Sequence, residues 1–384
     1  MKVFILAGEA SGDRLGAALM DGLKRLAQVE FHGIGGPLMQ AEGLQSLFPM
    51  DELSVMGITE VLPKYRHLKR RIRQTAEAVL AERPDVLITI DSPDFSLRVA
   101  ALVKAAGDIR TVHYVAPSVW AWRAGRAARM AKVIDHVLAL LPFEPPYMQA
   151  AGMECDFVGH PVVAEPQASD AQIAEFRARH DLGDAPILLV LPGSRKGEVA
   201  RLGPIFGAAL GPVLARHPDL RLVVPTTAHV APLLREVVKG WPAPPVIIDP
   251  SDMKSDAYKI EKMCAFGVAT GALAASGTVS LELAASETPM VITYDVSWIS
   301  RQIIAALLKI DTLTLVNLVS ETRAVPECNG KECTPPQIAA ALLKMLDAPG
   351  AQHEAMELTM QRLGKGGDAP GLRAARAVLK GLGR

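Results

Sequence analysis

Residues 8–13 read GEASGD, directly after the apolar run KVFILA and directly before a helical pattern. Two glycines, two carboxylates and a serine at a strand-to-helix turn stand where many α/β proteins hold a nucleotide phosphate. Neither common cradle has this spacing, the P-loop Gly-x-x-x-x-Gly-Lys-Ser/Thr or the dinucleotide Gly-x-Gly-x-x-Gly. Glu9 and Asp13 would also set negative charge where a pyrophosphate must lie, against a helix N-terminus that otherwise attracts anions. Glu9, Ser11 and Asp13 therefore read as a turn built for hydroxyls or a sugar. The alternative is a plain βα turn with Asp13 in the first turn of its helix.

A second turn does suit phosphate. In LPGSRKGEV, Leu191 to Val199, Gly193 lets the backbone come close, Ser194 can donate and Arg195 offers a bidentate fork ahead of a helix N-terminus. This is a diphosphate grip, or else a helix-capping serine among solvated cations. Further on, in ATGALAASGTVSLELAASETPMVITY, Gly277 and Thr278 open a helix that carries Glu282. A carboxylate there can bind a ribose diol or merely complement the helix dipole.

In the first half, VLITIDSPDF places Asp91 and Asp94 just past a buried strand. Either can serve as a general base, and Asp91 can instead cap the helix. VAPSVWAWRAGRAARMAK sets Trp120, Trp122 and Arg123 before a basic helix, with at least one tryptophan expected to fill a core or interface. His160, in GHP, reads as a structural histidine at the end of the first domain.

The stretch SVMGITEVLPKYRHLKRRIRQTAEAVLAE differs in kind. Leu62, Tyr65, Leu68, Ile72, Ala76 and Val79 recur at helical spacing, while Lys64, Arg66, Lys69, Arg70, Arg71 and Arg73 crowd one short segment behind an apolar tip of Val55, Met56, Gly57 and Ile58. Such a pattern fits an amphipathic element on an anionic membrane, or a solvated helix face. RNA binding is disfavoured by a formal net charge of zero, 41 Lys plus Arg against 41 Asp plus Glu, and by an aromatic content of 5%.

These residues need a scaffold, and 384 residues suffice for two domains. Short apolar runs that alternate with helical patterns predict buried parallel strands at KVFILA, EFHGIG, DVLITID, TVHYVA, HVLALL and CDFVG. Helices are expected between them, as at Asp13 to Ala27 and Ser96 to Ala106. After a Pro-bearing linker, His160 to Asp170, the pattern restarts with PILLVLPGSR, LRLVVPT, PPVIID, FGVATG and PMVITY. The expected fold is α/β, two Rossmann-like domains facing each other across a ligand-binding cleft. The domains are drawn at 1–165 and 166–345, with helices of 346–384 packing back on the first. The four cysteines, Cys155, Cys264, Cys328 and Cys333, lack the spacing of a zinc site and fit a reduced, cytoplasmic protein. The apolar opening is too short for a signal peptide, and no long uncharged apolar run predicts a membrane span.

Taken in order, GEASGD, GIGGPLMQAEGL, DELSVMGITEVL, IDSPDF, APSVWAWR, VGHP, LPGSR, SGTVSLE and the late VNL with VPE resemble the lipid-A-disaccharide synthase family, inverting glycosyltransferases of the GT-B fold. The resemblance runs from about residue 2 to residue 334. It implies transfer of a 2,3-diacylglucosamine unit from UDP to a 2,3-diacylglucosamine 1-phosphate acceptor, at the cytoplasmic face of the inner membrane. It implies a base at Asp94, UDP contacts at Gly193, Ser194, Arg195, Gly277, Thr278, Glu282 and Asn317, and an acceptor- or sugar-facing turn at Glu9, Ser11 and Asp13. Val55, Met56, Ile58, Lys69, Arg70, Arg71 and Arg73 would meet the membrane and acyl chains. No metal, no cofactor and no nucleic acid is called for, and a homodimer is left open. Ala164, Asp295 and Gly330 depart from the family pattern. The competing readings are a UDP-N-acetylglucosamine 2-epimerase-like enzyme, with the same architecture but a soluble substrate, and a noncatalytic nucleotide- or lipid-binding protein.

Overall fold

The computed structural model describes the backbone of residues 1–53, 58–121, 125–295 and 310–384, and the side chains of these except for 58–65. The chain forms two units, Met1–Ala164 with Leu363–Arg384, and Glu165–Arg362.

In the first unit seven parallel strands form one sheet: β1 (Lys2–Ala7), β2 (Glu30–Ile34), β3 (Gln45–Ser46), β4 (Val86–Ile90), β5 (Arg110–Tyr114), β6 (His136–Ala139) and β7 (Glu154–Phe157), in the order β3-β2-β1-β4-β5-β6-β7. Every residue of β4 and β6 is buried, as strands covered on both faces by helices must be. Helices α1 (Ala10–Leu26), α2 (Pro37–Ala41), α3 (Ile58–Glu82) and α4 (Pro93–Ala106) follow β1, β2, β3 and β4. Both α1 and α4 begin three residues before their expected starts, α4 because Pro93 pre-sets the backbone of a first turn.

Residues 346–384, expected to pack together on the first domain, divide instead. Gly350–Arg362 belongs to the second unit and Pro370–Gly381 to the first. The latter helix lies hard against α1: a Cβ on Gly22 would fall 2.6 Å from the Gly371 carbonyl oxygen, and one on Gly371 would fall 2.4 Å from that of Ala18. Two glycines thus let the helix backbones touch.

The second unit carries β8 (Ile187–Leu191), β9 (Arg221–Pro225), β10 (Val246–Ile248), β11 (Gly271–Ala275), β12 (Met290–Tyr294) and β13 (Glu327–Asn329), all parallel, in the order β10-β9-β8-β11-β12-β13. The strand expected at FGVATG is displaced. Helix Ser255–Gly267 continues through Phe266, whose apolar ring is spent on the helix's buried face, and the strand is the following GALAA, wholly buried between β8 and β12. One described helix, Lys196–Arg216, is long and apolar enough to cross a membrane, and it seats Val199, Leu202, Phe206, Leu210 and Val213 in this unit's core.

Each sheet reverses its strand order once, between β1 and β4 and between β8 and β11. At such a switch point the loops leaving adjacent strands diverge to opposite faces and open a crevice, where ligands of this architecture bind.

Candidate functional site

At the first switch point GEASGD follows β1 and IDSPDF follows β4, and the two turns touch: a Cβ on Gly8 would lie 2.6 Å from the Ser92 hydroxyl oxygen. Asp91 and Ser92 have φ of 49° and 43°, and Val115, just past the neighbouring β5, has φ of 86°. Left-handed backbone at three non-glycine residues, one of them β-branched, costs on the order of 1–3 kcal/mol each and gathers where a fold holds a functional geometry. Hydrogen bonds maintain it. The Asp91 N–H donates to the Tyr114 carbonyl at 3.0 Å, the Ser96 hydroxyl to the Asp91 carbonyl at 2.8 Å, and the Val115 N–H to the Leu138 carbonyl at 3.0 Å. Asp94 stands exposed in the first turn of α4, with Ser11 exposed and Glu9 half-buried on the adjoining turn.

Asp13, expected to face an acceptor or sugar, is turned inward. Its carboxylate is 3% exposed and accepts the backbone N–H groups of Gly36 (2.9 Å), Leu38 (3.0 Å) and Met39 (3.0 Å). It therefore caps α2 from another segment and welds two βα turns together. A carboxylate with three such donors has little left to offer a substrate.

Glu144 was not singled out in the sequence. It is 4% exposed, accepts from the Leu140 and Leu141 N–H groups at 3.1 and 3.0 Å, and takes the Trp120 indole N–H at 3.3 Å. Burial pushes its carboxyl up to about 7, against the opposing pull of those donors. Trp120 also meets Phe143 edge-on, with centroids 5.1 Å apart, and is thereby a packing tryptophan. Trp122 and Arg123 lie outside the described residues. His160 is structural: burial lowers it to about 4, and its Nδ1 accepts the Val162 N–H at 3.2 Å.

At the second switch point Gly193–Arg195 follows β8, and Gly277 and Thr278, both exposed, follow the adjacent strand β11. Gly193 has φ of 117°, and a Cβ there would fall 2.5 Å from the Glu198 carboxylate. Only glycine permits the turn. The backbone donors expected for a diphosphate are already engaged, because Glu198 Oε2 accepts from the Ser194 and Arg195 N–H groups at 3.1 and 3.2 Å. What the loop presents outward is the Arg195 guanidinium, 74% exposed, with one N–H on Glu198 Oε1 at 2.7 Å. Glu282 pairs with Lys262 at 2.5 Å. Of the three departures from the family pattern, Asp295 lies near Arg201 (3.8 Å), Ala164 ends a single 3₁₀ turn, and Gly330 takes φ of 61°, which suits glycine.

The Asn317 side chain, expected to meet the nucleotide, is turned into the protein. It is 1% exposed, its amide donates to the Val325 carbonyl at 2.9 Å and its carbonyl accepts the Val325 N–H at 3.0 Å. Both ends of the side chain are consumed in pinning the late loop. Among the described residues no cluster of three His, Cys, Asp or Glu side chains could hold a metal ion.

A family model described as "Lipid-A-disaccharide synthetase" matches residues 3–369. The lipid-A-disaccharide synthase of Ruegeria pomeroyi is 66% identical over 383 residues, covering 100% of this chain and 96% of its own, and that of Rhodospirillum centenum is 45% identical, covering 98% and 94%. The chain belongs to the lipid-A-disaccharide synthase family. It is accordingly a glycosyltransferase of lipid A biosynthesis, which sets aside the epimerase and the noncatalytic binder. Solved structures agree on the fold. The UDP-GlcNAc 2-epimerase of Neisseria meningitidis superposes with a TM-score of 0.66 at 12% identity, covering 100% of this chain and 99% of that one. Acinetobacter baumannii MurG does so with 0.55 at 14%, again covering 100% and 99%. At such identities these neighbours show the GT-B fold and nothing finer.

In this lipid-A-disaccharide synthase family member the basic stretch forms α3, whose Ile72, Ala76 and Val79 are buried while Arg66, Lys69, Arg70 and Arg73 are exposed. Arg71 departs from the expected surface role. Its guanidinium makes two hydrogen bonds to Glu52 (2.8 and 2.7 Å), one to Gln74 (2.7 Å), and lies 4.3 Å from the Phe48 ring centroid. The Arg71 fork, joined by His67 at 2.6 Å, holds the Glu52 carboxyl below its ordinary range. Val55 and Met56, and the side chain of Ile58, lie outside the described residues.

Proposed function

We propose that the chain joins UDP-2,3-diacylglucosamine to 2,3-diacylglucosamine 1-phosphate, giving the β(1-6)-linked disaccharide 1-phosphate and UDP. The observation that carries this reading is the family match across residues 3–369 together with 66% identity over the whole chain to a synthase of that name. The acceptor's 6-hydroxyl oxygen attacks the anomeric carbon as the bond to the diphosphate oxygen breaks on the opposite face, inverting that carbon. Asp94 takes the hydroxyl proton. Its exposure next to a strained turn supports that role, since a base must reach a substrate from a fixed backbone. Glu9 and Ser11 bind sugar hydroxyls.

In the second unit Arg195 stabilises the charge that develops on the departing diphosphate. Gly277 and Thr278 line the nucleotide beside it, and Glu282 takes the ribose diol. Arg66, Lys69, Arg70 and Arg73 hold the first unit against an anionic cytoplasmic membrane surface, where acylated substrates reside. Incubation of the pure protein with both lipids and mass spectrometry of the products tests the reaction. A disaccharide 1-phosphate plus UDP is expected. Unchanged substrates, or a donor altered at its sugar without transfer, reject it.

A further inference from the structure

Lys262, on helix Ser255–Gly267, and Glu282, on helix Val279–Ala285, join two helices of the second unit through Nζ and Oε2 at 2.5 Å. Both side chains are about one-third exposed, 36% and 32%. An ion pair so placed contributes little to stability, so its geometry calls for another explanation. The cation is seated between neighbours on its own helix face. One turn earlier Tyr258 donates its hydroxyl to the Thr226 carbonyl at 2.6 Å, just past the end of β9, and one turn later the Phe266 ring centroid lies 5.2 Å from the ammonium. Glu282 Oε1 accepts a hydrogen bond from no described residue.

A glutamate that binds a diol must be held in one rotamer, and a fixed ammonium on one oxygen does so while leaving the other oxygen available. We propose that Lys262 is a positioning residue of the nucleotide site, holding Glu282 by Oε2 so that Oε1 meets a ribose hydroxyl. This rests on the reading of Glu282 as the ribose-binding residue. Lys262 then sets the preference for ribonucleotide over deoxyribonucleotide without touching the sugar.

The test is calorimetry of UDP and 2′-deoxy-UDP on the full chain, for the wild type, Glu282→Gln, Lys262→Met and Lys262→Arg, with thermal unfolding recorded to confirm that each is folded. A hydrogen bond to a charged group predicts that the wild type prefers UDP by about ten- to a hundredfold. Lys262→Met should bring that ratio close to one, and Lys262→Arg should keep most of it. A merely structural loss weakens both ligands alike and leaves the ratio unmoved. If Glu282→Gln leaves the ratio at its wild-type value, the ribose reading itself fails. If Glu282→Gln abolishes the preference and Lys262→Met retains it, the ribose reading stands and the role of Lys262 is overturned.

Discussion

The Glu198 carboxylate lies on the Arg195 guanidinium at 2.7 Å while its other oxygen accepts the Arg195 backbone N–H at 3.2 Å. One side chain thus shapes the LPGSR turn from within, reaching back from the third position of helix Lys196–Arg216 to the N–H groups of Ser194 and of the N-cap residue Arg195. Replacing Glu198 by Ala should destabilise the protein by about 0.5–1.5 kcal/mol, the usual net worth of a hydrogen bond, here in the helix's first turn. Urea unfolding measures it, and a loss well under 0.5 kcal/mol would mean that the turn holds itself.

Arg195, 74% exposed, should matter to ligand and not to fold. Arg195→Ala is expected to weaken UDP binding by about 1.5–3 kcal/mol, the worth of hydrogen bonds to a charged group. Titration calorimetry with unchanged UDP affinity would remove Arg195 from the nucleotide site.

Asp94→Asn should fold as the wild type does, because the side chain is exposed on the first turn of α4. Turnover should fall by about 10²- to 10⁴-fold, the ordinary contribution of a general base. Near-normal turnover would pass the role to Asp91 or Glu9, which share the two touching turns with the buried Asp13.

The basic helix should separate into two behaviours. Changing Lys69, Arg70 and Arg73 together to Ser should reduce sedimentation with anionic vesicles, at about 1 kcal/mol or less per charge, most visibly at low salt. Arg71→Ser should instead lower the thermal midpoint, since Glu52 and Phe48 lose their shared partner. Vesicle binding indifferent to the triple change would make this face an ordinary solvated one.

Glu144 makes stability pH-dependent in an identifiable direction. Its folded value, about 7, lies above its ordinary 4.5. Its contribution is therefore fully present below about 4.5 and lost as pH rises through 7. Burial acts oppositely on His113 and His160: each falls from 6.5 to about 4, so their contribution is present above 6.5 and lost as pH falls toward 4. The difference in thermal midpoint between wild type and Glu144→Gln isolates the glutamate. The variant should gain relative to the wild type from pH 5 to pH 8, and a flat difference would place the Glu144 carboxyl at an ordinary value.

Much of this was legible in the chain itself. Apolar runs such as VLITI and ILLVL cannot be solvated on either face, so they specify parallel strands covered by helices. The two-residue β3 and three-residue β13 escaped, being too short to carry a periodicity. The GALAA strand escaped because glycine and alanine have no β preference of their own and are held there by neighbours on both sides. The need for glycine at 193 was legible because the turn that requires it is set by its own neighbours in sequence.

Asp13, Arg71, Asn317 and Glu144 could not be assigned that way. Residue type sets which bonds a side chain can make, whereas the fold decides which partners reach it first. Asp13 meets donors more than twenty residues away, from Gly36 to Met39, and Arg71 meets Glu52 nineteen residues before it. Asn317 closes on the peptide of Val325, and Glu144 is raised by burial that no local pattern announces. The sequence alone determined the α/β architecture, the family and the turns that could meet a nucleotide. Tertiary structure decided which polar groups in those turns remain available to a ligand, because a buried donor or acceptor must be satisfied by the protein before any of it can be offered outward.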